Sequence, residues 1–573
     1  MRKLVAFTTL AAVAGLSLAA APKAPNQAPN AEAITASFMQ DVLYFLSSDA
    51  MEGRNTPSRG FDTAALFIAS NLAQWGLTGG GDPPALRDPK QGPLAQFLYH
   101  IELQSSQVNA AASSVELAGH QYGYQSDFTS TNGAAGQASG PLVFVGHGYV
   151  EHKQNIDPYA GINVRGKILV VEGQPPEMVA YESAMLAYFR AAQSGDSGAA
   201  RPINALGAAG SDFLTPEQYA AQNGALAVIH DDAPNPLAAL LRGPATAAPN
   251  NSEANPYPTP PPNVPTMEMT RFQPKTAATV PSIVAKAGLW NAILAAKSDP
   301  AARATVTVAS DVRKARTEDV VALLEGSDPV LKKQYVIISA HLDHVGIGRA
   351  LNGDIIYNGA DDDGSGSTGL LNLAKAFATG PRPKRSIAFI WHAGEEKGLW
   401  GSLYFTRYPT IPLAQVVTDL NMDMIGRSRA ANDNNAADDR LTKADEIYVI
   451  GPQVSSADLE RTMDKVNNSY YKLSLNHFYD RTDDPEQIFY RSDHVNYANQ
   501  GIPILFFFDG VHVDYHQPGD EPQKIDYQKM EKVARTVYAI GWTLATEATP
   551  PRLNAVLPPA LVKAMAGAKA GNP

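Results

Sequence analysis

YVIISAHLDHVGIGRALNGDIIYNGADDDGSGSTGLLNLAKAFA, residues 335–378, reads as a strand, a stretch rich in His and Asp, and a helix. YVIISA is an almost unbroken apolar run, as in strands covered on both faces of a parallel sheet. TGLLNLAKAFA carries the helical spacing of apolar residues. Between them stand Asp361, Asp362 and Asp363. Carboxylates that close repel one another, and a folded chain accepts the cost only in water or around a cation. One acid is comfortable at a helix N-terminus. Three need another reason.

Working outward, the pattern repeats. RSIAFIWHA (385–393), VVTDLNMDM (416–424), EIYVI (446–450) and IPILFFF (502–508) are candidate strands. Helices fit between them, and the last carries Met530, Val533, Val537, Ile540 and Leu544 on one face. The expected fold is α/β, a mixed, mostly parallel sheet sandwiched by helices, over residues 306–548. Upstream, Phe38, Val42 and Phe45 share a helical face, as do Ala65, Ile68, Leu72 and Trp75, with Gly76 as a stop. Residues 35–119 therefore open with two expected helices. From 120 to 305 the texture changes to short runs such as PLVFVGHG, KILVVEG and ALAVIHDD. Turn-rich loops separate them, among them NNSEANPYPTPPPNVP at 250–265, so a β-rich inserted module is expected.

The first 21 residues have a basic start, an apolar run and small residues, the pattern of a secretory signal. Residues 22–34 are read as a linker and 549–573 as a peripheral tail. Export to a periplasm or the medium follows, with no membrane attachment after cleavage. Across 573 residues the net charge is −11, a poor match to nucleic acid or anionic lipid. With no cysteine, disulfides and thiolate chemistry are excluded.

Ligands of open α/β sheets bind beyond the carboxyl ends of the strands. His341, Asp343 and His344 follow YVIISA, and Glu395 and Glu396 follow RSIAFIWHA. Asp423 ends the third between two methionines, and Tyr515 and His516 come after IPILFFF. Each residue alone has an ordinary reading as a hydrogen-bonded core or rim group. Together they suit oxygen- and nitrogen-bound divalent cations sharing one carboxylate, with a base beside the reacting water. Other motifs fail. An EF-hand would need Glu where Asn372 stands, the glycines lack the Lys-Ser/Thr ending of a phosphate loop, and no His is followed by Glu.

AHLDHVG, GADDDGSGSTG, AGEEKGLWGS, NMDMIG, SDHVNYANQGIP and DYHQPGDE, taken in order, resemble the M28 family of co-catalytic zinc aminopeptidases. DPYAGINVRGKILVVEG resembles part of a protease-associated (PA) domain, and LSSDAMEGRNTPSRGFDTAALFIASNLAQWGL the segment that completes such peptidase domains. The resemblance implies two zinc ions, one on His341 and Asp423, the other on Glu396 and His516, bridged by Asp362. Co²⁺ or Mn²⁺ would suit the same donors. It further implies Glu395 as general base, Asp343 as the group fixing the His341 ring, and Tyr515 at the oxyanion. Asp363 is assigned to the helix start, and His344 and His392 to the core or rim. His494 falls to the pocket wall, and Arg491 to a salt bridge or a substrate carboxylate. The implied substrates are peptides with a free N-terminus, attacked by metal-activated water. A carboxypeptidase, an M20-like deacylase, a glutaminyl cyclase and a non-catalytic binding ectodomain of the same architecture are the rivals.

Overall fold

The computed structural model describes residues 28–193, 202, 204–207, 209–232, 267–272 and 280–570. The signal-like segment and the loop at 250–265 lie outside them. Among the described residues, strands gather into one ten-stranded sheet, one eight-stranded sheet and two small ribbons.

The larger sheet contains β1 (Leu98–Val108), β2 (Ser310–Leu324), β3 (Tyr335–His341), β4 (Ser386–His392), β5 (Val416–Met422), β6 (Glu446–Ile450), β7 (Ser474–Asn476) and β8 (Ile504–Phe508). Their order is β1-β2-β4-β3-β5-β8-β6-β7, with Glu268–Met269 outside β1 and Thr78–Gly79 beside β2. The centre, β4-β3-β5-β8, is parallel. Both flanks run antiparallel where β1 meets β2, β2 meets β4, and β6 meets β8. The sheet is thus mixed, with a parallel, fully buried centre and a further parallel pair, β6 with β7, at one edge. β3, β4 and β5 are inaccessible along nearly their whole length, which is why they read as continuous apolar runs.

Helices cover both faces: α1 (Ala36–Leu46), α2 (Arg59–Gln74), α3 (Gly364–Thr379), α4 (Trp400–Arg407), α5 (Ala457–Ser469), α6 (His494–Asn499), α7 (Tyr527–Thr546) and α8 (Pro559–Ala570). Side-chain caps start several of them, Thr35 on α1, Ser58 on α2, Asp363 on α3 and Asp526 on α7. The core face of α1 is Met39, Val42, Leu43 and Leu46. Phe38 and Phe45 lie on the adjacent stripe instead, against Trp75 and Phe67. Phe38 packs on the rim of the main core, while Phe45 stays 39% exposed at the helix–helix seam.

The second sheet runs His120–Gly123, Ser114–Leu117, Arg303–Val308, Gly136–Phe144, Ile168–Val171, Ala227–Asp231, Ser282–Ala285, Phe128–Ser130. It has its own apolar cores. It begins at Ser114, ahead of the boundary expected at 120.

Two terminal assignments change. The described part of the expected linker, 28–34, is packed: Ala28, Ala31 and Ile34 are buried. Tyr538 donates to the Pro29 carbonyl at 2.6 Å and Arg535 to that of Ile34 at 2.8 Å. The expected tail is also docked. Leu561 is 1% exposed, and Asn554 accepts from Ala457 N at 2.9 Å, anchoring the segment to the start of α5. Alanine- and proline-rich composition hid both, because a few well-placed apolar contacts suffice to order a short segment. Leu561→Ala should lower stability by about 2–5 kcal/mol, the usual cost of a buried leucine truncation, and thermal denaturation of the pair of proteins checks it.

Candidate metal centre

The three aspartates point in three directions. Asp363 caps α3, accepting from Gly366 N at 2.9 Å, Met424 N at 3.1 Å and His341 N at 3.2 Å. Asp361 accepts from Gly426 N at 2.8 Å and faces His512 at 3.3 Å. Asp362 alone turns both oxygens toward the carboxyl ends of the central strands. Its backbone is held by Asp520, whose Oδ2 accepts from the N–H groups of Asp361 and Asp362 at 2.9 and 3.1 Å.

Each oxygen of Asp362 enters a different cluster. Oδ1 lies 3.2 Å from His341 Nε2, which is 3.5 Å from Asp423 Oδ1. Oδ2 lies 3.1 Å from His516 Nε2, which is 3.0 Å from Glu396 Oε2. The two groups, His341, Asp362 and Asp423, and His344, Asp362, Glu396 and His516, each bring one donor atom per residue within 4.8 Å of the others. Donors on a zinc tetrahedron with ~2.0–2.1 Å bonds are about 3.3 Å apart, so these spacings fit such an ion.

The polar atoms are otherwise orphaned. His341 Nε2, His344 Nδ1, Asp362 Oδ2, Glu396 Oε1 and His516 Nε2 are buried without a hydrogen-bond partner. Buried orphans are rare in folded proteins and mark a missing ligand or a functional site. The electrostatics agree. Burial opposes ionisation of Asp362, but His341 and His516 hold its carboxyl well below the usual range. Burial and Asp362 push Glu396 upward, yet His344 and His516 outweigh them and draw it down to about 2. Burial depresses His516, while Asp362 and Glu396 raise it to about 10. Positive charge is wanted at both places, and the imidazoles supply it when no cation does.

Around the donors, Glu395 lines a small pocket with Asp423, Tyr515 and Arg491. Its backbone N–H donates to Asp343 Oδ1 at 3.1 Å. That corrects the expected role of Asp343. The other nitrogen of His341, Nδ1, is 3.1 Å from the Asp343 carbonyl, whereas the Asp343 carboxylate stands 3.8 Å away. The residue still orients the His341 ring, through its backbone, and its side chain instead holds the Glu395 turn.

Tyr515 stacks on His516 with centroids 4.0 Å apart, and its hydroxyl accepts from Arg491 Nη2 at 3.3 Å. His494 donates from Nε2 to the Phe489 carbonyl at 3.0 Å and stacks on Phe506, behind the pocket wall; burial holds its pKa down at about 3, so it is neutral. His392 is enclosed by Asp319 and Tyr497, each 3.1 Å away. His344, read as core or rim, is fully buried but its Nδ1 is 2.9 Å from Glu396 Oε1, inside the donor group.

Sequence reasoning passed over Arg54. Its buried guanidinium donates to the carbonyls of Leu46, Leu342, Asn358 and Gly359 at 2.7–2.9 Å. It ties the loop after β3 to the loop before α3, and so fixes His341 relative to Asp362. The signal available was an arginine inside the apolar-flanked AMEGRN stretch, with no indication of its partners.

Residues 319–541 match the model of peptidase family M28. A probable leucine aminopeptidase of Trichophyton verrucosum (strain HKI 0517) is 28% identical over 229 residues, 38% of this chain and 56% of its own length. A probable zinc metalloprotease of Pyricularia oryzae (strain 70-15) is 27% identical over 273 residues, 42% of this chain and 52% of its own. The chain thus spans about half the length of these curated relatives. Among solved structures, an aminopeptidase from Aneurinibacillus sp. strain AM-1 aligns over 92% of this chain and 97% of its own at 17% identity, with a TM-score of 0.43. The matched stretch, residues 319–541, carries every donor of the site.

Proposed function

We propose that this protein is an exported, two-zinc exopeptidase that removes N-terminal residues from peptides. The observation that carries the reading is the Asp362 carboxylate, with one oxygen directed into each of two donor clusters. His341, Asp362 and Asp423 would hold one ion, and Asp362, Glu396 and His516 the other. Zinc bound there would polarise the scissile carbonyl and acidify the water that attacks it.

The protein's own groups do the rest. Glu395 takes the proton from the attacking water and delivers it to the leaving amine, held at the pocket mouth by Asp343. Because Tyr515 accepts from Arg491, its own hydroxyl proton is free to donate to the oxyanion as the carbonyl carbon becomes tetrahedral. Met424, Ile488, Phe506, Phe508 and Val511 form the apolar wall beside these groups, a place for an uncharged side chain of the substrate. The names of the relatives, leucine aminopeptidases among them, point the same way. The second sheet is retained as a PA-like module. No helix among the described residues is long and apolar enough to cross a membrane.

The test is one mixed-sequence peptide, free and N-acetylated, incubated with zinc-loaded protein and followed by mass spectrometry. Stepwise loss from the free N-terminus, blocked by acetylation, is expected. Loss from the C-terminus would make the protein a carboxypeptidase, and no cleavage of either peptide would move the reading to a deacylase, a cyclase or a binding protein.

A further inference from the structure

We infer that His344 is a fourth protein ligand of the ion held by Asp362, Glu396 and His516, so that the two metal positions are unequal. This rests on the two-zinc reading above. His344 Nδ1 is 2.9 Å from Glu396 Oε1 and 3.7 Å from Asp362 Oδ2, in the range of the other donor spacings. Both nitrogens of the fully buried ring lack a hydrogen-bond partner, and Glu396 Oε1 lacks one too. A histidine present only to fix Glu396 would donate to it along the N–H direction; this contact has the distance of a hydrogen bond without its geometry.

The ring is built into place. The His344 N–H donates to the Arg54 carbonyl at 3.2 Å. On the other side Gly359 presses against it: a Cβ there would lie 2.5 Å from ring atoms Cγ and Cδ2, and φ is +56°. Only glycine is comfortable at that position. The His344 and His516 rings meet edge to face with centroids 5.6 Å apart, so both turn toward the same space.

Four protein donors fill a tetrahedral zinc site, the pattern of positions that hold the ion firmly, whereas three leave room for solvent or substrate. The His344 side is therefore the closed position. The side with His341, Asp362 and Asp423 keeps the open one, on the same flank of the pocket as Glu395.

Zinc affinity is measured by competition with a chromophoric chelator on wild type, His344→Ala and His341→Ala, and the visible spectrum is recorded after Co²⁺ loading. Wild type should take up two ions. His344→Ala should weaken one by at least about 100-fold, beyond the 10–100-fold typical of groups that only support a ligand, leave the other unchanged and alter the Co²⁺ bands. His341→Ala should weaken the other ion. X-ray absorption of the wild-type two-zinc protein needs no variant and should show three imidazoles shared by two ions. Two imidazoles, or a His344→Ala protein with both affinities within tenfold and an unchanged Co²⁺ spectrum, would overturn the assignment while leaving two zinc ions in place. Uptake of fewer than two ions by wild type would overturn the two-zinc reading itself.

Discussion

Asp362→Ala is expected to weaken both cation positions at once. No other side chain lies in both donor groups. Without it, His341 and Asp423 remain on one side, too few to hold a divalent ion, and the shared anion that screens two close cations from each other is gone. Since loss of a mere supporting group costs 10–100-fold, each ion should weaken by at least about 100-fold. Zinc per chain after dialysis, by elemental analysis, should fall below two, the ion on the His341 side leaving first because only two donors remain there, with peptidase activity following. Asp361→Asn supplies the contrast. Its carboxylate serves Gly426 and faces His512, away from both clusters, so the variant should keep both ions. If Asp362→Ala instead retained two zinc ions, the bridging assignment would be wrong whatever happened to activity.

The second large effect is on chemistry with metal content unchanged. Glu395 belongs to neither donor group, yet lines the pocket beside Asp362 and Asp423. Burial, together with Asp423, Glu396 and Asp493, pushes its carboxyl well above the usual range against the pull of His341. Cations on the neighbouring donors would reverse much of that push, because a bound divalent ion is the largest local charge. A carboxylate so placed would be ionised with the site loaded and would remain basic enough to accept a proton, as the proposed role requires. Glu395→Gln keeps size and shape but cannot take the proton. Turnover should fall by about 10²–10⁴-fold, the usual worth of general base catalysis. Zinc content and KM should change little. A glutamine variant retaining wild-type kcat would assign the base elsewhere.

Much of the site was legible because it lies where strands end. β3, β4, β5 and β8 announce themselves as apolar runs, and the polar residues just beyond them stand out in number and kind. The chemistry-bearing residues are separated by loops in sequence but share one sheet edge, so the order of strands was enough to expect them together. The antiparallel flanks were not legible. β1 and β2 carry polar residues at their exposed ends and pair across the whole inserted module, and neither periodicity nor turns report a partner two hundred positions away.

Sequence by itself determined the central strands, the helices between them and the donor types at the strand ends, because these follow from local backbone preference and burial pattern; the bridging role of Asp362 came from the resemblance. Tertiary structure alone decided where each donor points. Asp343 meets the Glu395 N–H with its carboxylate and the His341 ring nitrogen with its carbonyl, His344 joins the donors, and residues 28–34 and 559–570 dock rather than dangle. Side-chain direction depends on contacts such as Arg54 with the Leu342 carbonyl, 288 positions apart, and on Gly359 against the His344 ring. A chain's periodicity records which face is buried; what that face meets is set only when distant segments close upon it.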